Sequence, residues 1–346
     1  MQIADFIISP DRTIIEAMKQ IDQNASGIVY ICQERKLKGV LTDGDIRRHI
    51  LRKGDLNCLV KEIGNFHPKS LTAEEKERAD FEMKKYKIRS LPILNSDSEL
   101  IDICFLDGIA EKSKPQLGTP VVIMAGGKGT RLYPYTQILP KPLIPIGEKT
   151  ITEHIMDHFS AYGCTHFDMI VNYKKNFIKS YFLDNEIVRD VSFVDETKFL
   201  GTGGGLKLLE GRYSSTFFMS NCDILVEEDY GEILKFHKEK KNLITMVCAV
   251  KQMTIPYGTV DVADGGQVLR LNEKPELSFI TNTGFYVLEP EFLEKIPTDT
   301  FIHITDVIQN CINEGDKVGI YPITEEHWLD MGQLDELERM KANLNV

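Results

Sequence analysis

The chain has 346 residues, 42% of them hydrophobic and 27% charged, with a formal net charge of −11 at pH 7. That length exceeds one ordinary core and predicts two domains of globular composition. The negative excess excludes non-specific nucleic-acid binding, which needs a basic surface, but not a nucleotide ligand, because a small anion responds to the local field of a cleft.

In chain order, "TIIEAMKQIDQ" places Ile14 or Ile15, Met18 and Ile21 on one helical face. "GIVYICQERKLKGVLT" then reads as strand, charged turn, strand. The pattern returns with "AEEKERADFEMKKYKI" and "SLPILNSDSELIDICFL". An internal repeat of roughly fifty to sixty residues predicts paired modules packed on each other. Their bounds are set at 1–64 and 65–115, and "EKSKPQLGTP" (111–120) reads as a linker, with 116–120 as its core.

From residue 121 strands alternate with helices. Apolar runs at 121–125, 167–172, 216–222 and 243–250 are separated by helical patterns at 151–162, 203–211 and 229–240. This rhythm predicts βαβ units and a mostly parallel sheet. "ADGG" within "GTVDVADGGQVLRLNEKP" interrupts it with a hairpin signal, so an antiparallel insertion is expected.

The stretch "VVIMAGGKGTRLYPYTQILPKPLIPIG" (121–147) carries the chemistry. A glycine-rich turn after a strand can converge backbone N–H groups on an anion. Gly126, Gly127 and Gly129 are expected to allow close approach and positive φ. The loop is neither a Walker loop nor the dinucleotide fingerprint, whose third glycine would fall at Leu132. Lys141, between Pro140 and Pro142, is held with little backbone freedom.

Glycine loop and Pro-Lys-Pro together resemble the signature of the sugar-1-phosphate nucleotidyltransferases, and the similarity continues in order to residue 346. "ETKFLGTGGGL" (196–206) is similar to the base- and sugar-recognition loop of that family. "NCD" (221–223) stands for its Gly-Asp, with Cys222 where glycine is usual. "YGTV", "NEKP" and "NTGFYVL" resemble its sugar-binding elements, and "WLDMG" (328–332) its second metal motif. The resemblance implies a Rossmann-like α/β domain over 121–346, with a mixed, mostly parallel sheet and helices on both faces.

It also implies roles. Ala125, Gly126, Gly127, Gly129, Thr130 and Arg131, with Gly201 and Thr202, would hold a nucleoside triphosphate, Arg131 on the leaving pyrophosphate. Lys141 would hold the α-phosphate and Lys274 the sugar phosphate. Gly258, Glu273, Asn282 and Thr283 would grip sugar hydroxyls, and Asp223 and Asp330 would bind Mg²⁺, which suits few carboxylates plus substrate phosphates. The catalytic set is Arg131, Lys141, Asp223 and Lys274. Closer resemblance is to guanylyltransferases of hexose or hexosamine 1-phosphates. These include the glucosamine-1-phosphate enzymes of legionaminic acid synthesis, which have the same domain order. Heptose guanylyltransferases also fit, cytidylyl enzymes less well.

Residues 1–115 resemble a pair of cystathionine-β-synthase-type (CBS) modules of α+β fold, which bind adenosine nucleotides. In "KGVLTDGDIRRHI", Thr42 and Asp45 fall at the phosphate and ribose positions, and Arg47 and Arg48 near phosphate. The second module has Phe105 and Gly108 at the corresponding places, so at most one competent site is expected. A structural or dimerising pair without ligand is the alternative, and a homo-oligomer is expected in either case.

Other groups read as structural. His154 and His158 sit i,i+4, but Ile155 stands where a metalloprotease needs glutamate. Trp328 reads as packing and "KEKK" (238–241) as a solvated helix end. Seven scattered cysteines without a C-x-x-C pair indicate neither zinc nor disulfides. The opening "MQIADFIISPDRT" has no basic n-region, and no apolar run approaches the ~20 residues that span a bilayer. The expected setting is the cytoplasm, away from membranes. Two rivals of other classes are a nucleotide-sensing regulator with a silent transferase domain and a metal-dependent glycosyltransferase.

Overall fold

A computed structural model describes residues 2–24, 26–86, 88–106, 114–184 and 190–331, so Gly108 and Gly332 lie outside the described residues. The chain divides into two compact units, Met1–Ser113 and Lys114–Val346.

In the first unit, β1 (Ile7–Ile8), α1 (Ile14–Asn24), β2 (Ile28–Gln33), β3 (Lys36–Thr42), α2 (Asp43–Leu51) and α3 (Val60–Ile63) are followed by β4 (Leu71–Thr72), α4 (Ala79–Tyr86), β5 (Ser90–Leu94) and β6 (Leu100–Phe105). The two three-stranded sheets share one topology. β1 runs parallel to β2 and β4 to β5, while β2–β3 and β5–β6 are antiparallel hairpins. Helix α1 buries Ile14, Ile15, Met18 and Ile21, the stripe its periodicity predicts. The Tyr30 and Ser90 hydroxyls meet at 2.7 Å, and the Phe6 and Phe105 rings at 5.2 Å, so the two sheets share buried contacts. The helical reading of 73–88 is half right: residues Ala73–Arg78, rich in exposed charge, form a 3-10 turn before α4.

The second unit starts earlier than a linker at 116–120 implies. Leu117 N–H donates to the Tyr162 carbonyl at 2.8 Å, and Thr119 is buried. These residues are docked on the domain because Leu117 packs against its core.

This unit runs β7 (Val121–Met124), α5 (Tyr135–Ile138), β8 (Pro145–Ile146), β9 (Lys149–Thr150), α6 (Ile151–Ala161), β10 (His166–Val171), α7 (Lys175–Asp184), β11 (Asp190–Asp195), α8 (Gly201–Leu206), β12 (Phe217–Asn221), β13 (Ile224–Val226) and α9 (Tyr230–Lys240). It continues with β14 (Ile244–Thr254), β15 (Thr259–Val262), β16 (Val268–Asn272), β17 (Glu276–Leu288), α10 (Ile304–Glu314), β18 (Val318–Thr324) and β19 (Trp328–Asp330).

Seven strands form the main sheet in the order β11-β10-β7-β12-β17-β14-β18. β17 alone runs antiparallel to both its neighbours; the other four pairings are parallel. The sheet is therefore the mixed, mostly parallel one expected. β7 shows why it is buried on both faces: Val121 and Ile123 join one core with α6 and α9, while Val122 and Met124 join another with α8 and α10. The predicted insertion is the β15–β16 hairpin, a separate two-stranded ribbon.

His154 Nε2 donates to the Ile146 carbonyl (2.9 Å), and the His158 ring lies tilted against Tyr162 and Tyr230. Burial pushes the His158 imidazole down to about 4, so it is a neutral core group. Among the described residues no group of three or more His, Cys, Asp or Glu side chains converges as a metal centre, and no helix is long and apolar enough to cross a membrane.

Candidate active site

The end of β7 opens into a cavity of about 250 Å³ bounded by the glycine loop, by the start of α8 and by the turn after β12. Its wall includes Gly126, Gly127, Gly129, Thr130, Arg131, Lys141, Gly201, Thr202 and Asp223, which are drawn from four separate stretches of sequence. A cleft at the carboxyl ends of parallel strands is where open α/β sheets bind ligands.

Within the loop only Gly129 has positive φ (64°). A side chain there would also stand 2.9 Å from Thr136 and 3.1 Å from Lys141 Cβ, and the Thr136 hydroxyl donates to its carbonyl at 2.8 Å. Gly126 is glycine for a different reason than expected. Its φ is ordinary, but a Cβ would lie 2.7 Å from Glu196 Oε2. Gly127 meets neither constraint. Ala125 is buried behind the loop, and Thr130 and Arg131 are exposed at its outer end.

Lys141 opens a 3-10 turn whose prolines are buried, anchored by the Thr152 hydroxyl on the Pro142 carbonyl at 2.9 Å. The turn lays the lysine over Gly129 and brings its Nζ onto Asp223 Oδ2 as a salt bridge. Both side chains are largely buried, so the pair is poorly screened. Asp223 sits between β12 and β13. β13 pairs antiparallel with β19, setting Ile224 opposite Asp330, and the Met331 N–H donates to the Asp223 carbonyl at 2.9 Å. The small ladder therefore anchors the two predicted metal aspartates at one end of the same two-stranded sheet. Asp223 lines the cavity, whereas Asp330 is held near it through this backbone pairing and is not among the residues that line it. A pair of hard carboxylate donors is the kind of set Mg²⁺ takes.

Thr202 lines the cavity, but its hydroxyl accepts the Ile304 N–H at 3.1 Å and so also caps α10. Gly201 (φ 76°) turns the chain tightly against the Ile302 carbonyl.

The sugar-side residues lie apart from the cavity lining. Gly258, Glu273 and Lys274 are exposed at the base of the β15–β16 hairpin, where a Cβ on residue 258 would stand 3.0 Å from Glu273 Oε2. Asn282 lies on β17, where its amide donates to the Tyr286 hydroxyl at 2.6 Å. Thr283 is only 3% exposed and donates to the Val247 carbonyl at 2.8 Å. Its side chain holds the bulge of β14, so a sugar contact there would share a hydroxyl already bonded to Val247.

Four cavity residues were not singled out from the sequence: Met124, Glu196, Phe199 and Asn221. Phe199 and Glu196 belong to the loop 196–206, but nothing in their types marks them individually. Glu196 follows β11, is 4% exposed, and burial pushes its carboxyl up to about 7 against the opposing Leu200 N–H. Asn221 packs against Gly284, whose φ of 88° and missing side chain make room for it.

In the first unit Thr42 and Asp45 line a cavity of about 630 Å³ together with Arg48, Lys69, Arg89 and Phe105. Asp45 is already engaged: it accepts from the Thr42 N–H (3.0 Å) and hydroxyl (2.6 Å) and from Arg48 (2.5 Å). It forms the capping box of α2, so a ribose would have to share it.

Residues 120–345 match the family model described as nucleotidyl transferase, and residues 3–52 match that of the CBS domain. A UTP–glucose-1-phosphate uridylyltransferase of Synechocystis is 30% identical, covering 62% of this chain and 60% of the relative. A mannose-1-phosphate guanyltransferase of Kluyveromyces lactis is 31% identical, covering 61% of each. The chain thus spans about three-fifths of the length of these curated relatives. The crystal structure of HddC from Yersinia pseudotuberculosis superposes with a TM-score of 0.52 at 23% identity, over 65% of this chain and 99% of HddC.

Proposed function

The chain belongs to the nucleotidyl transferase family, and from that premise we propose that it transfers a nucleoside monophosphate from GTP to a hexose or hexosamine 1-phosphate of glucosamine, N-acetylglucosamine or mannose type. An oxygen of the sugar phosphate attacks the α-phosphorus and forms the new P–O bond. The bond to the β-phosphate oxygen breaks, and pyrophosphate leaves with the electron pair. No protein nucleophile is required, because the attacking phosphate is ionised at neutral pH. The protein must position two anions that repel each other and neutralise charge as the bond breaks.

The observation that carries this reading is the meeting of Lys141 and Asp223 against Gly129 in one cavity. In this account Lys141 binds the α-phosphate, Arg131 the departing pyrophosphate and Lys274 the sugar phosphate. Asp223 and Asp330 are the residues that would hold Mg²⁺, which supplies charge neutralisation on the phosphates when bound. The guanylyltransferase relatives support GTP, and a uridylyltransferase among the relatives makes UTP the competing donor to test.

Pyrophosphate release is to be measured across GTP, UTP, CTP, ATP and dTTP against a panel of sugar 1-phosphates. GTP with a glucosamine- or mannose-type acceptor is expected to dominate. Silence with every pair would defeat the reading, and a preference for UTP or CTP would defeat its guanylyl part.

We further propose that residues 1–64 and 65–115 form a regulatory CBS pair taking at most one adenosine nucleotide at Thr42 and Asp45. Calorimetric titration of AMP, ADP and ATP into the full chain, with and without GTP, tests it. By reciprocity, a regulatory ligand must change affinity when GTP is present. No heat from any of the three would leave a purely structural pair.

A further inference from the structure

The glycine loop of the cavity is held by its carbonyl oxygens. The Gly126 carbonyl accepts the Tyr173 N–H at 3.3 Å, and the Gly129 carbonyl accepts the Thr136 hydroxyl at 2.8 Å. In a trans peptide the N–H lies opposite the C=O, so these bonds turn the N–H groups of Gly127 and Thr130 the other way. Both residues line the cavity. Fixing the carbonyls thus fixes the donors that an anion would meet. Thr136, however, is the only buried side chain between Tyr133 and Leu139; its neighbours in α5, Tyr135, Gln137 and Ile138, are exposed. A four-residue helix with one inward side chain has little packing to hold it, and its last carbonyls find no partner within it.

Those carbonyls are satisfied from outside, by two consecutive residues of the loop between β10 and α7. Lys174 Nζ donates to the carbonyls of Gln137 (2.5 Å) and Ile138 (2.7 Å), and the Tyr173 hydroxyl donates to that of Thr136 at 3.4 Å. The Tyr173 and Phe177 rings flank the ammonium at 5.5 and 5.9 Å. Lys174 holds this place with φ 51°, a left-handed backbone that a lysine adopts at a cost. Its backbone also starts α7, where the Phe177 N–H donates to the Lys174 carbonyl at 3.0 Å. Backbone and side chain therefore have separable duties.

We propose that Tyr173 and Lys174 brace the phosphate-binding loop from behind, and that Lys174 is a positioning residue for the phosphates of the nucleotide. The brace grips the loop at both ends, at Gly126 directly and at Gly129 through α5 and Thr136. Neither residue lines the cavity, so neither would touch the ligand. Releasing α5 would let Thr136 and the Gly129 carbonyl shift, and a small misplacement of binding groups is costly even when its origin lies away from the ligand. The effect belongs to the phosphates, so it is blind to the base, and it leaves the sugar-side residues on β15 to β17 alone. This inference rests on the cavity being a nucleoside triphosphate site.

The test compares Lys174→Gly and Lys174→Arg with the wild-type full chain. Nucleotide affinity is read by displacing a methylanthraniloyl-GTP reporter with GTP, UTP and ATP, and both KM values by steady-state pyrophosphate release. Glycine adopts φ 51° freely, so Lys174→Gly keeps the backbone, deletes the cation and should stay folded by thermal melt. Its affinity should fall at least about tenfold, the value of a hydrogen bond to a charged group. The factor should be the same for each nucleotide that displaces the reporter, with KM for the sugar 1-phosphate unchanged. Arginine can span two carbonyls with its fork of donors, so Lys174→Arg should recover most of the loss. Wild-type affinity in a folded Lys174→Gly chain overturns the proposal. So does an equal rise in both KM values, or a Lys174→Arg chain as weak as Lys174→Gly. A reporter that does not bind the wild-type chain would defeat the nucleotide site itself, and the brace with it. Base-blind weakening without any pyrophosphate release would support the brace and defeat only the proposed transfer.

Discussion

The two ends of the proposed substrate path are built differently. The nucleotide end is enclosed: Asp223, Glu196 and Ala125 are buried, and Lys141 is fixed between buried prolines. The sugar end rests on a two-stranded ribbon whose Val260, Val262, Val268, Leu269 and Leu271 are all exposed. A lone hairpin has little independent stability. The contrast separates pre-organisation from adaptability. Groups on a rigid frame spend little binding energy on ordering, whereas groups on a ribbon must be ordered by the substrate itself.

Breaking the rigid end should cost most. Asp223→Asn is expected to lower kcat by about 10²–10³-fold or more, measured by pyrophosphate release. By calorimetry the protein should still be folded, but with a lowered melting temperature because the largely buried Lys141 loses its counter-charge. Near-normal turnover would remove Asp223 from the mechanism. At the adaptable end, Lys274→Ala should raise KM for sugar 1-phosphate by roughly tenfold to a hundredfold, the worth of a charged hydrogen bond, and leave KM for the nucleotide unaltered. A matching rise in both would show that the ends are not independent.

The same substitution made twice sharpens the comparison further. Gly126→Ala drives a methyl group to 2.7 Å from Glu196 Oε2 inside a packed wall, and should cost about 1–3 kcal/mol of stability in urea titration. Gly258→Ala meets only the mobile end of the exposed Glu273 at 3.0 Å. Its stability should stay within about 0.5 kcal/mol of wild type, with any effect confined to the acceptor. Equal losses at the two positions would contradict the contrast.

Legibility follows the same division. β7, β10, β12 and β14 were readable because continuous apolar runs must be buried on both faces. The hairpin was readable from "ADGG", with Gly265 and Gly266 both at positive φ. Lys141 was marked by its flanking prolines, and Asp223 by its place after a strand. The purpose of Gly126 was not readable, because its neighbour Glu196 is seventy residues away and only the β10–β11 pairing brings it close. The bond of the Thr283 hydroxyl to Val247 was equally unreadable, because it depends on the bulge of β14 opposite. Residues 116–120 looked like a linker by composition, but Leu117 supplied the apolar contact that docks them.

The ladder of β13 with β19 bears on synthesis as well as catalysis. Asp223 emerges from the ribosome about a hundred residues before its partners at 328–331, and domains fold as the chain is made at roughly 5–20 residues per second. During that interval the parallel core around β7 has all its strands up to β12, while the β13 edge and the Asp223 carbonyl wait for β19 and the Met331 N–H. The last described strand is therefore the one that closes the ladder beside Asp223, and a nascent or truncated chain ending before residue 328 would lack the Met331 N–H bond that holds the Asp223 backbone.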